Sequence, residues 1–221
     1  MPYGKEQQKF FGLLVRTLDW GGEADNLLYS TGEAIRESVE NIEQAAAEPG
    51  DSFEKTWVID DECDQIEDLL GLSFVACQLY ITTVVSHCKG LHDLHKQQTG
   101  NRQIAGHTGE KQGLLQRCEV CVAGTPYTAI TAIDALANYF KHRNEWHFDW
   151  SVLKGNVQRT ALVIQALGVK SGCTGNLRKG FEAIFGDSDY QQVLRLGHVL
   201  RNWADALKAE YQRELMALAA P

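Results

Sequence analysis

LLGLSFVACQLYITTVV, residues 69–85, is the stretch on which the fold turns. It carries no formal charge, so it reads either as a membrane span or as the buried middle of a soluble helix. Ser73, Gln78, Thr82, Thr83 and Ser86 interrupt the apolar surface, and no basic flank orients a span, so no membrane crossing is expected. The pattern runs on in both directions. Ile66, Leu69, Leu70, Phe74, Cys77, Ile81, Val84, Val85, Cys88 and Leu91 recur at helical spacing, which predicts one helix from about 60 to 98. Apolar nearly all round, it is expected to be the central, buried member of a bundle.

Upstream, Leu27, Leu28, Ala34, Ile35, Val39, Ile42 and Ala46 predict a helix over about 23–48, ended by Pro49-Gly50. Phe10, Phe11, Leu13, Leu14 and Leu18 predict a shorter amphipathic helix over 5–18. Downstream, residues 99–124 hold five glycines and read as a long irregular segment with one short helix around 114–122. Further helices are expected over 157–167, over 177–185, and over a final stretch opened by the capping pair Ser188 and Gln191 and running to about 218. That last helix should bury Val193, Leu196, Leu200, Trp203, Leu207, Tyr211 and Leu215. The chain therefore reads as all-α, a bundle of five to seven helices in one domain over 1–221, with acidic N-terminal helices over 1–68 and the bundle core over 60–218.

Composition agrees with that class. At 221 residues, 44% of them hydrophobic, the chain can bury a sizeable core, and four prolines leave room for long helices. The six cysteines are scattered and several lie in apolar stripes, and the opening MPYGKEQQKF is polar. Reduced thiols and a cytoplasmic protein are expected. The net charge of −8 argues against a general nucleic-acid coat, but it is uneven: residues 1–68 carry −12 and residues 69–221 carry +4. Any face that meets RNA should come from the later part.

The most unusual chemistry lies in TPYTAITAIDALANYFKHRNEWHFDW, residues 125–150. Thr125 followed by Pro126 predicts a helix start. Ile130, Ile133, Ala137 and Phe140 form its stripe, whose next members are Asn144 and His147. On a continued helix Arg143 and His147 share one side, with Asn144 beside them. A guanidinium beside an imidazole can grip a phosphate while the imidazole moves a proton. The simpler reading is a set of solvated cations at a helix C-terminus.

The core RNEWH, preceded by an apolar helix in an all-helical chain, resembles the signature helix of the HEPN superfamily. These are helical-bundle proteins of prokaryotic toxin and anti-phage systems, many of them metal-independent RNases. The family pattern is an arginine, usually followed by a polar residue, then a histidine after four to six intervening residues. Arg143, Asn144 and His147 match in type and order, with three residues between arginine and histidine. Arg102 and His107 have the family spacing but lie in GNRQIAGHTGEKQG, which reads as loop. The resemblance implies a homodimer whose two signature helices face each other and pool Arg143 and His147 in one cleft. There Arg143 would hold the scissile phosphate, His147 would serve as general base or acid toward the RNA 2′-hydroxyl, and Asn144 would orient either. His142 and Glu145 are candidate supporting residues, and no cofactor is implied.

Other readings stay open. A catalytically silent helical module would use its acidic third and basic remainder to bind a protein partner, such as a toxin's antidote. Glu33, Glu37, Glu40 and Glu43, with Asp61 and Asp64, could hold magnesium for nucleotide hydrolysis, although Arg36 among them favours a solvated acidic face. His92, His95, Cys118 and Cys121 could form a tetrahedral zinc set; histidines beside small buried thiols are the simpler account, and no metal is expected. KSGCTGNLRK, residues 170–179, holds three cations but lacks Walker spacing and reads as a connector.

Overall fold

Ser52 opens the longest helix by accepting the Lys55 amide at 3.1 Å, and Gly100 closes it in the left-handed region at φ 77°. A computed structural model describes residues 22–50 and 52–219, together with Gly4, Lys5, Gln8, Lys9 and Gly12. The apolar residues of the helix expected over 5–18 lie outside the described residues, as does the side chain of Leu215. In chain order the α-helices are α1 (Gly22–Ala47), α2 (Phe53–Thr99), α3 (Lys111–Leu115), α4 (Ala129–His142), α5 (Gly155–Ala166), α6 (Asn176–Phe185) and α7 (Leu194–Ala219). Single 3-10 turns, Trp150–Val152 and Tyr190–Gln192, precede α5 and α7. Among the described residues there are no strands beyond the isolated bridges Ile104–His107 and Cys121–Thr128. The chain is an all-α helical bundle.

The 47 residues of α2 span about 70 Å, and the helix begins seven residues earlier than its apolar pattern suggests because Ser52 caps it. Ile66, Leu70, Phe74, Cys77, Ile81, Val84, Cys88 and Leu91 form one buried stripe. The opposite side is open, with Leu72 54% and Leu79 71% exposed, which corrects the expectation of burial nearly all round. Among the described residues, α2 is the one helix long and apolar enough by composition to cross a membrane, and half of its most apolar window is buried inside the protein.

α1 packs along α2 and buries Leu28, Ile35 and Ala45, while Leu27 and Ala46 face outward. On α1's outer face Arg36 bridges Glu33 at 2.7 Å and Glu40 at 3.0 Å, all three half exposed. Across the bundle α4 supplies Ile130, Ile133, Leu136 and Ala137 to the core. Close approach needs two glycines: a Cβ on Gly71 would lie 2.2 Å from the Phe140 ring, and one on Gly180 would lie 2.5 Å from Leu136. α7 completes the core with Leu196, Leu200, Trp203, Leu207 and Tyr211, and the Trp203 indole donates to the Leu114 carbonyl at 2.9 Å.

Other helix starts differ from the sequence reading too. Thr125 makes a local turn instead of a cap: its hydroxyl donates to the Val122 carbonyl and accepts the Tyr127 amide. Thr128, three residues on, caps α4 by accepting the Thr131 amide at 3.2 Å. Likewise Ser188 and Gln191 form no capping box; Tyr190–Gln192 is a 3-10 turn and α7 starts at Leu194. The short helix of the 99–124 segment sits at 111–115, earlier than expected.

Candidate functional site around the 143–150 turn

Helix α4 stops at His142, and residues 143–149 run as a turn into the 3-10 segment. The continued helix that would set Arg143 and His147 on one side is therefore absent, a correction with a visible cause. Trp146 and Trp150 fold back onto Tyr139, with ring centroids at 5.5 Å and 5.9 Å and the two indoles 5.5 Å apart, all edge to face. A straight helix could not bring residues seven and eleven positions apart onto one ring. The tryptophans of the motif are its anchors.

The polar residues beside them are more open. Asn144 and His147 are exposed. Arg143 reaches back to α2, where its guanidinium meets the Asp68 carboxylate at 2.9 Å and lies 4.7 Å over the Phe140 ring. His142 and Glu145, the proposed supporting pair, bond to each other: ring Nδ1 to carboxylate at 3.1 Å, and the Glu145 amide donates to the His142 carbonyl at 2.8 Å.

His147 has a more telling environment. Its Nδ1 lies 3.0 Å from the Asp149 amide nitrogen and 3.2 Å from the Asp149 carbonyl oxygen. With Nδ1 unprotonated the ring accepts that N–H and presents Nε2–H outward. With Nδ1 protonated it donates to the carbonyl and presents the Nε2 lone pair. The backbone thus provides a partner for either neutral tautomer, so Nε2 can act as donor or base. Asp149 accepts the Ser151 amide at 2.9 Å, and hydrogen bonding by the Ser151 side chain, then by this amide, holds its carboxyl below the usual range, so it stays ionised.

Beside this turn lies an open cleft of about 540 Å³, lined by Phe148, Asp149, Trp150, Ser151, Gln158, Ala161, Leu162, Gln165 and Ser171. Phe148 is 77% exposed, yet its ring is seated on Gly172, where a Cβ would lie 2.4 Å away, and the Ser171 hydroxyl donates to the Phe148 carbonyl. The surrounding stretch is basic in an acidic chain: residues 141–180 hold Lys141, Arg143, Lys154, Arg159, Lys170, Arg178 and Lys179 against Glu145 and Asp149, a net of +5.

Several structural polar groups escaped the sequence reading. Glu67 is buried and accepts the Leu177 amide at 2.6 Å and the Arg178 amide at 3.1 Å, capping α6, whose own N-cap is Gly175. The one local signal was a carboxylate inside an apolar stripe. Asn176 is buried too and donates to the Tyr139 hydroxyl at 2.8 Å, tying α6 to the aromatic anchor. Between α2 and α4 the Gln78 side chain donates to Asp134 and accepts from Lys141, and Lys111 meets Asp134 at 2.8 Å.

The zinc candidates do not assemble. Both nitrogens of His92 have protein partners, Nδ1 at 2.7 Å from the Arg102 carbonyl and Nε2 at 2.9 Å from the Tyr211 hydroxyl. His95 is buried, Cys118 is buried with its thiol pushed up by that burial, and Cys121 is exposed. Among the described residues no three His, Cys, Asp or Glu side chains group as metal ligands, the acidic residues of α1 and α2 included. Arg102 bonds Asp93 at 3.4 Å and Glu110 at 3.1 Å, while His107 is enclosed against His92 and Tyr211, with ring centroids at 4.8 Å and 5.7 Å. Compared with protein-family models, curated proteins and solved structures, the chain matches none of them.

Proposed function

We propose that this protein is a HEPN-like helical module of the cytoplasm that engages RNA at the 143–150 turn and, as a homodimer, cleaves it without a metal. The observation that carries this reading is His147, exposed and held between a backbone donor and a backbone acceptor, so that one ring nitrogen serves as acid or base. For attack by a 2′-hydroxyl, Nε2 would take the hydroxyl proton as Nδ1–H donates to the Asp149 carbonyl. Arg143 would leave Asp68 for the scissile phosphate, an exchange made cheap because Asp68 is 61% exposed. Asn144 would orient the phosphate. A second copy would bring its own Arg143 and His147 to the same cleft.

The test is cleavage of single-stranded RNA by purified protein in EDTA, with wild type beside His147→Ala and Arg143→Ala. Activity that survives chelation and is lost, by about 100-fold or more, in both variants is the expected result, a general acid–base group and a charge clamp being worth about that each.

A second reading, a catalytically silent module that binds a protein such as a toxin's antidote, is favoured by the Arg143–Asp68 pair, which satisfies the arginine within one chain. The open side of α2, with Leu72 and Leu79, offers such a partner an apolar strip. Folded, dimeric and equally inert wild type and variants would favour it.

A further inference from the structure

The cleft beside His147 has walls of two kinds. One side is a single face of α5, where Gln158, Ala161, Leu162 and Gln165 recur at helical spacing and alternate amide with aliphatic surface. The other is the Phe148 ring, whose backbone is pinned by Ser171 and whose position is set by Gly172, so an exposed aromatic is held in place at a pocket mouth. Trp150 and Ser151 line it too, and Asp149 brings an ionised carboxylate. Its volume of about 540 Å³ falls in the range of small-molecule sites.

A planar ring with hydrogen-bonding edges fits such walls. Aromatic stacking supplies affinity that any base can use, and amide and carboxylate groups read the base edge. We propose that the cleft is a subsite for one unpaired nucleobase, stacked on Phe148 and read by Gln158, Gln165 and Asp149, with its phosphate outside among the exposed cations. Lys154, Arg159 and Lys170, all exposed and within three residues of the lining residues Ser151, Gln158 and Ser171, are the nearest in the chain. The subsite rests on the RNA reading and sharpens it: a strand bound there would have its backbone led past His147, whose ring is hydrogen-bonded to the backbone of the lining residue Asp149. A carboxylate only accepts hydrogen bonds, so guanine, whose pairing edge presents two adjacent N–H donors, is preferred over uracil, which presents one. A paired base cannot enter.

The experiment measures binding of a fluorescently labelled single-stranded RNA, in EDTA, with unlabelled AMP, CMP, GMP and UMP and a duplex RNA as competitors. Wild type is compared with Phe148→Ala, Phe148→Trp and Gln158→Ala. Because both side chains are on the surface, circular dichroism should show all variants folded. The proposal expects Phe148→Ala to weaken binding about 10-fold or more, the loss of one stacked base, and Phe148→Trp to stay within about threefold of wild type. GMP should compete better than UMP, and duplex not at all. Wild type that binds RNA with unchanged affinity in Phe148→Ala and Gln158→Ala overturns the subsite and leaves the RNA reading standing. Wild type that binds mononucleotides but no strand supports the subsite and overturns the strand as its source. Binding of neither overturns both.

Discussion

His107 and His147 are built on the same local device and placed in opposite surroundings. Each follows an arginine in the sequence, and each has Nδ1 within reach of the backbone amide two residues on, Gly109 at 3.3 Å and Asp149 at 3.0 Å. Yet the His107 side chain is 9% exposed, against His92, Tyr211, Arg117 and Glu210, while His147 stands at the surface. Burial first, then the His92 ring and the Arg117 guanidinium, push the His107 pKa down to about 4. The pair shows that the backbone hydrogen bond fixes the ring, whereas exposure decides whether the ring can trade protons. His107 is enclosed as a wedge, and His147 is left open to solvent.

The sharpest way to break that comparison is to truncate one ring on each side. His92→Ala removes the ring that His107 packs on, strips partners from the Tyr211 hydroxyl and the Arg102 carbonyl, and empties the space that Gly109 leaves for it. It should cost about 3 kcal/mol in urea unfolding at neutral pH, a cavity plus unsatisfied buried groups. His147→Ala should cost less than about 0.5 kcal/mol, as an exposed substitution, while abolishing any cleavage. Equal losses of stability would make His147 structural as well and remove the contrast.

Acid separates the two clusters next. In the unfolded chain His107 titrates near its ordinary value of 6.5, and in the folded protein near 4, so between these values the unfolded state binds the extra proton. Stability should therefore fall as pH drops from about 6.5 and level off below about 4, by about 3 kcal/mol at the limit for a shift of this size. His92, lowered chiefly by its own burial, adds in the same direction. Glu210 faces His107 at 3.9 Å and would soften the loss, but Arg117 already holds that carboxylate. Urea midpoints at pH 7, 5.5 and 4.5 read the slope, and His107→Gln should flatten it.

What the sequence foretold follows local periodicity. The buried stripe of α2 was legible because residues at three- and four-residue spacing from Ile66 to Leu91 have only one helical face to share. The end of α4 was not, because no glycine or proline follows His142. The chain leaves the helix so that Trp146 and Trp150 can reach Tyr139, a tertiary reason with no local mark. Thr125-Pro126 carried every local sign of a helix start and lost to Thr128, whose hydroxyl also reaches the Leu115 carbonyl. His107 looked like a loop residue and is enclosed, because Gly109 at φ +72° lets the loop close against the His92 ring. Glu67 caps a helix 110 residues away, a partner that no spacing rule supplies. At the candidate site, Arg143, Asn144 and His147 were legible as types; the Asp149 backbone behind His147 and the cleft beside it were not.

The smallest effect bears on whether Arg143 is available. Asp68→Asn removes the carboxylate that competes with a phosphate for its guanidinium and leaves the Phe140 ring beneath it. With Asp68 61% exposed, the ion pair contributes under about 1 kcal/mol, so the stability change should lie near the noise of urea unfolding. RNA affinity at low salt should instead rise about two- to fivefold, because a local negative charge is lost and a cation is released toward the ligand. If affinity is unchanged while Arg143→Ala lowers it, the arginine acts from where it stands on Asp68. If neither substitution moves RNA binding, Arg143 is a strut between α4 and α2, a counterpart at the surface of the Arg117–Glu210 pair beside His107, and the 143–150 turn keeps only His147 for chemistry.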